Sequence, residues 1–232
     1  MSALDAFFPP SCVACDAVLP APGFFCADCA LLVTEASGAA CPRCAEPGNF
    51  TAGACPRCLR RPPAFGRAWA AFAYEGPVSR AVHRFKYEDH PELARPLGEL
   101  LARKAAGFLS SVPGGIVPLP LHEVRYRERK YDQTTLLAVA LAKASGRALR
   151  DDVLTRVKPT TRQVDLSEAQ REANVGGAFE ARGPVTGEDL LLLDDVLTTG
   201  ATAREATRVL LAAGAKSVNV LVLARAVRLD VR

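Results

Sequence analysis

The sequence predicts an α/β protein: a mostly parallel sheet flanked by helices, preceded by a small cysteine-rich module. Three observations predict it. Strand-like and helix-like segments alternate from residue 67 onward, the pattern of a parallel sheet with crossover helices. All eight cysteines fall between Cys12 and Cys58. A run of leucines, Leu190 to Leu193, stops on Asp194 and Asp195 and leads into a short stretch of Thr and Gly. The 232 residues suit one ordinary domain plus a small one. The expected boundaries are 1–60 for the cysteine module, 61–66 for a linker in "LRRPPAFG", and 67–232 for the larger domain.

The cysteines form four CxxC pairs: Cys12/Cys15, Cys26/Cys29, Cys41/Cys44 and Cys55/Cys58. A CxxC turn aims two thiolates at one tetrahedral ion, and two turns complete a four-thiolate shell. Eight thiols therefore make two structural Zn2+ sites, with no open position for catalysis. Disulfides fit poorly in a chain without a secretion signal. The short gaps within each half favour Cys12, Cys15, Cys26 and Cys29 as one site and Cys41, Cys44, Cys55 and Cys58 as the other; interleaved pairing is the alternative. The repeat resembles a double zinc ribbon. It holds too little apolar material for a core of its own, so the metal should supply folding energy.

In the larger domain, residues 67–75 read as a strand, and 77–87 and 91–109 as helices, with Pro91 suited to a first turn. Residues 115–121 read as a buried strand ending in prolines. Residues 133–146 form a helix with Asp132 as N-cap and Gly146 as stop. Residues 152–157 are a strand, 166–175 a short polar helix, 189–195 a strand, 202–214 a helix closed by Gly214, and 217–225 the last strand. Net charge is +4, which permits a polyanion partner without demanding one. No run of 18 apolar residues occurs, so no membrane insertion is expected. The N-terminus lacks a basic and apolar leader pattern, so the expected location is the cytoplasm, with recruitment to the inner face of the membrane left open.

The chemistry concentrates in "LLLLDDVLTTGAT". A turn feeding a helix N-terminus presents free N–H groups and a positive dipole end. Thr198, Thr199 and Thr202 add hydroxyls, and Gly200 allows close backbone approach, which together cradle one phosphate. The adjacent carboxylates suit vicinal hydroxyls, which donate to them. Phosphate beside a cis-diol means a ribose 5-phosphate. There is no Walker A loop and no GxGxxG.

This order of residues resembles the phosphoribosyl pyrophosphate (PRPP) motif of type I phosphoribosyltransferases. The resemblance implies that Asp194 and Asp195 meet the ribose hydroxyls and are the catalytic pair, and that Val196, Leu197, Thr198, Thr199, Gly200, Ala201 and Thr202 form the PRPP loop, with Mg2+ entering with PRPP. "IVPLPLHEVRYRERKYDQTTLLA", "FKYEDHPELARPLGELL" and "RQVDLSEAQREANVGGAFE", together with the cysteine repeat, resemble the ComF/ComFC competence proteins from Cys12 to Arg225. That family implies a phosphoribosyltransferase-like domain linked to uptake of single-stranded DNA in natural transformation, with competence or recombination proteins as partners. Glu123, Val124, Lys130 and Asp132 depart from the Pro, Arg, Gly and Asn common there, making the presumed pyrophosphate side less positive.

The loop around Pro120 and Leu121 would face the pyrophosphate. Arg125, Arg127, Arg129 and Lys130 can neutralise phosphates, or form a solvated basic helix start. Tyr126 and Tyr131 could stack bases or pack. Arg80, Arg84 and Lys86 share one helix and could extend a polyanion track. Residues 158–170 match in place the mobile hood of the phosphoribosyltransferases this chain resembles, with Arg162, Gln163 and Arg171 as candidate contacts, or form a plain surface loop. His83, His90 and His122 are not read as ligands, and no aromatic pocket for a nucleobase acceptor is evident. Two functions follow: a transferase that moves the ribose to an unknown acceptor, or a binding module for single-stranded DNA whose PRPP site is regulatory or vestigial.

Overall fold

The computed structural model describes residues 9–36, 38–159 and 168–226. The chain order is α1 (Ala27–Leu31), α2 (Pro56–Arg60), β1 (Ala68–Ala73), α3 (Gly76–Tyr87), α4 (Ala94–Lys104), α5 (Ala106–Ser111), β2 (Gly115–Pro118), α6 (Glu123–Arg129), α7 (Gln133–Ser145), β3 (Leu154–Arg156), α8 (Glu168–Val175), β4 (Phe179–Ala181), β5 (Asp189–Leu197), α9 (Ala201–Ala212) and β6 (Ser217–Arg225). Four strands make a parallel sheet in the order β1-β6-β5-β2.

Side chains alternate along a strand, so each face of the sheet collects its own core. Leu191, Leu193, Leu221 and Leu223 pack with α3, α4, α5 and α7. Leu190, Leu192, Val220 and Val222 pack with α9 and the β3–β4 pair. The unbroken leucines of β5 are what a strand covered on both faces requires.

Two segments of the larger domain differ from expectation. Residues 152–157 do not join the main sheet: β3 pairs antiparallel with β4, a strand the sequence reading missed. The helix expected over 91–109 splits into a short 3-10 turn at Pro91–Leu93, α4 and α5, because the chain turns at fully buried Ala105. Asp132 caps α7 as expected, its carboxylate accepting from the Thr134 and Thr135 N–H groups at 2.9 and 3.0 Å, and Gly146 ends it in the left-handed region.

Where α4 crosses α7, a methyl group on Gly98 would lie 2.4 Å from the Ala140 Cβ and 3.0 Å from the Leu141 nitrogen. Gly98→Ala is therefore expected to destabilise the fold by about 1–3 kcal/mol through forced helix separation, despite the better helix propensity of Ala. Thermal denaturation checks this; an unchanged midpoint would contradict the close crossing.

The cysteine module is not a tethered appendage. Glu35 pairs antiparallel with Phe72 on the β1 edge, and the Ala36 N–H donates to the Ala71 carbonyl at 3.0 Å. Cys12, Val13, Ala14, Leu19 and Cys29 join the α3-side core. Within the expected linker, Phe65 is buried and the Gly66 N–H donates to Val218 O at 2.9 Å.

Candidate functional site

Two groups of four cysteines are assembled, Cys12/Cys15/Cys26/Cys29 and Cys41/Cys44/Cys55/Cys58, with all ligand sulfurs of a group within 4.8 Å of one another. The pairing is sequential, not interleaved. A tetrahedral Zn2+–thiolate site implies sulfur–sulfur edges of about 3.8 Å; Cys15 Sγ to Cys26 Sγ is 3.7 Å and Cys44 Sγ to Cys55 Sγ is 3.6 Å. Burial pushes the Cys41 thiol up, and the N–H groups of Cys55, Cys44 and Arg43 more than reverse this, to about 7. Burial and the neighbouring sulfurs push Cys58 well above its ordinary value. Four such thiols ionise together only around a cation. The donor set fits two structural Zn2+ ions with no vacant position for chemistry.

The second site lies at the carboxyl ends of the strands. β2 stops at Pro118, level with Leu193, and the chain leaves through Leu119, Pro120 and Leu121. β5 continues to Leu197, still paired with β6. Asp194 and Asp195 thus lie within a strand that has lost one neighbour, facing a cavity of about 520 Å³. From the sequence, both emerge at the end of the leucine strand, where they need not be buried. Instead Asp195 is only 3% exposed, because β5 runs past it and α3 covers it.

Lys86 of α3 makes that burial possible. Its ammonium donates to Asp195 Oδ1 at 2.8 Å and lies 2.7 Å from Oδ2. Lys86 was expected to contact a polyanion; the structure instead spends it on the carboxylate. Burial raises the Asp195 carboxyl, but the Lys86 charge outweighs it and holds it below the ordinary value. Asp194 goes the other way. Burial, then repulsion from Asp195, pushes it up to about 8, so it carries a proton near neutrality. One acid is ionised and one protonated, the environment of each separating their roles.

The loop after β5 supplies the opposite polarity. Gly200 has φ +77, a conformation natural to glycine, and α9 begins at the next residue. Thr198 and Thr202 line the cavity. Thr199 does not: it is buried, and its Oγ1 accepts from the Ala201 N–H at 3.3 Å. Pro120 and Leu121 also line the cavity, but the Leu121 N–H donates to Asp132 Oδ2 at 2.8 Å.

The basic segment forms α6. Arg125 and Arg129 face the cavity, and Arg129 stacks over Tyr87 at 4.7 Å. Arg127 and Lys130 are engaged elsewhere, with Glu123 and with Asp89. The departures from the family pattern are absorbed locally: Glu123 meets Arg127, Asp132 caps α7, and Lys130 takes a left-handed turn with φ 65. Tyr131 packs, its hydroxyl donating to Phe85 O at 2.6 Å; Tyr126 is half exposed. Arg84 is buried rather than part of a basic track, because it reaches the first cysteine group. Arg162 and Gln163 lie outside the described residues, as does the side chain of Arg171 in α8.

Arg156, Gln133, Tyr74 and Tyr87 are among the lining residues that sequence reasoning missed. Arg156 reaches the cavity from β3; burial, then the Arg125 charge, lowers its basicity. Gln133 is buried with its Oε1 lacking a hydrogen-bond partner among the described residues. Tyr74 and Tyr87 give an aromatic wall where none was evident. Their place just after a strand and at a helix end was the available signal. His83, His90 and His122 bond to Glu88, Glu92 and the Val124 N–H.

The double zinc ribbon domain family matches residues 3–59. The DNA utilization protein YhgH of Salmonella typhi is 35% identical over 206 residues, covering 86% of this chain and 89% of the relative. Competence protein F of Haemophilus influenzae is 29% identical, covering 80% and 84%. Competence protein ComFC of Bacillus subtilis is 27% identical, covering 86% and 83%. Among solved structures, the glutamine PRPP amidotransferase from B. subtilis aligns with 24% identity and a TM-score of 0.39 over 60% of this chain and 30% of that one. By its relatives and its paired cysteine sites, the chain belongs to the family of the DNA utilization protein YhgH and the competence proteins F and ComFC, a double zinc ribbon joined to a helix-flanked parallel α/β domain.

Proposed function

We propose that the cleft at the carboxyl ends of β2 and β5 binds a ribose 5-phosphate, PRPP with Mg2+ first among them, in a protein that handles single-stranded DNA during natural transformation. One observation carries the reading: diol-accepting carboxylates and phosphate-donating hydroxyls open on the same cavity. Asp194 and Asp195 take the ribose hydroxyls; Thr198, Thr202 and the start of α9 take the 5-phosphate. Arg125 and Arg156 offer charge to the pyrophosphate, whose Mg2+ arrives with it. A second cavity of about 400 Å³ shares Lys86, Tyr87, Arg125 and Arg129 with the first. Arginines beside aromatic rings suit a single strand of nucleic acid, and the relatives named for competence and DNA utilization support that partner.

The aromatic wall favours a second reading, a transferase whose acceptor stacks on Tyr74 or Tyr87. Titrating PRPP with Mg2+ into the zinc-loaded protein by calorimetry is expected to give saturable one-to-one binding. Asp194→Ala should abolish it, and single-stranded DNA should shift the affinity if the sites are linked. Absence of PRPP binding would sink the ribose-phosphate reading; pyrophosphate release without added acceptor would favour the transferase.

A further inference from the structure

The second cysteine group grips the back of the phosphate loop. Arg225, the last residue of β6, is fully buried. Its Nη1 donates to Leu197 O at 2.8 Å and Thr198 O at 2.5 Å. Its Nε donates to Cys44 O at 3.2 Å, and its Nη2 pairs with Glu46, two residues beyond Cys44. From the other CxxC turn, Arg57 Nη1 donates to Thr199 O at 3.1 Å. Both turns of one cysteine group therefore hold the carbonyls of residues 197–199, directly or through Arg225.

This matters because the peptide is planar and trans. Holding the Thr198 and Thr199 carbonyls from behind turns the N–H groups of Thr199 and Gly200 to the other side of their peptide planes, away from the two arginines. The first cysteine group docks elsewhere. It binds α3, where Arg84 Nη1 donates to Val13 O at 3.1 Å and Arg80 Nη2 lies 3.6 Å from Cys29 Sγ.

We propose that metal loading of the second cysteine group sets the conformation of the phosphate loop, with Arg225 and Arg57 as the positioning residues that join the two. Closing the four thiolates round an ion orients Cys44 O and Glu46, which neutralise and aim the buried Arg225 guanidinium. An opened group leaves that charge poorly paired and its hold on Leu197 and Thr198 altered. The ligand concerned is the ribose 5-phosphate proposed above, and to that extent the inference rests on that reading. The coupling itself does not require that ligand.

Hydrogen–deuterium exchange on the full chain, with zinc counted by elemental analysis, tests it. Cys58→Ser should retain one zinc and raise exchange over residues 198–203 by about tenfold or more, with α3 little changed. Cys15→Ser should do the reverse, loosening α3 and sparing the loop. Arg57→Ala, with both zincs bound, should raise loop exchange a few-fold and weaken PRPP binding, and Arg57→Lys should partly restore both. Equal loosening of both regions by either cysteine variant, or an unaltered loop in Arg57→Ala, would overturn the proposal. Should Cys58→Ser fail to fold, the Arg57 pair decides. Failure of the intact protein to bind PRPP would overturn the ligand reading alone, since the exchange result stands without it.

Discussion

Asp195→Ala is expected to destabilise the protein by about 3–5 kcal/mol, a fall in Tm on the order of 10 °C. The cause is the partner left behind. Lys86 has a side chain only 17% exposed and both its short contacts are to this carboxylate. Removing one member of a buried pair strands the other charge, which costs more than the pair itself contributes. A Lys86→Met/Asp195→Leu double variant replaces both charges with apolar groups and should recover much of the loss. It should not recover ligand binding, because the diol then lacks its ionised acceptor. Thermal denaturation and PRPP calorimetry on both variants check this. A double variant no more stable than Asp195→Ala would show that the charges are not paired as described.

Asp194→Asn should act in the opposite sense on stability. The carboxyl is pushed up to about 8 by burial and by Asp195, against an ordinary value of 3.8. Between these values the folded protein holds a proton that the unfolded chain has lost. The contribution of this proton to stability is full below the unfolded value and disappears as pH rises through about 8, with a limiting slope of about 1.4 kcal/mol per pH unit. Asparagine is neutral at every pH and nearly isosteric. The advantage of Asp194→Asn over the natural chain should therefore be small below about pH 4 and grow between about pH 4 and pH 8, reaching a few kcal/mol. PRPP binding should weaken in the same variant as pH rises through about 8, where the natural carboxyl ionises and becomes a better acceptor for the ribose hydroxyls than an amide. Melting temperatures measured across that window check the first part. A stability difference that shrinks with rising pH would contradict a protonated Asp194. The site is held at the expense of stability, as binding sites commonly are.

Much of this arrangement was legible from local spacing. The 14–15 residue repeat of CxxC turns specified two four-thiolate groups, because each turn satisfies its own geometry within a few residues. The leucine run specified a strand buried on both faces. Gly200 between threonines and a helical segment specified the left-handed turn into α9, and Asp132 and Gly146 specified the ends of α7. Each of these is a short-range hydrogen-bonding or burial pattern.

The errors have a common cause as well. Arg84 and Lys86 looked like an exposed basic stripe because α3 carries no acid at the matching positions. Their partners come from elsewhere: Asp16 and the Val13 carbonyl for Arg84, and Asp195 for Lys86. β4 was too short to show a period, and β3 left the main sheet because pairing with β4 is a tertiary choice. By itself the sequence determined most of the segments that become strands and helices, and the four CxxC turns. Only the tertiary structure decided which charges pair with one another, which reach the cavity, and that one cysteine group is fastened to the loop after β5. The physical reason is range: turns, caps and apolar periods act over a few residues, whereas the pairing of buried charges depends on how distant elements dock.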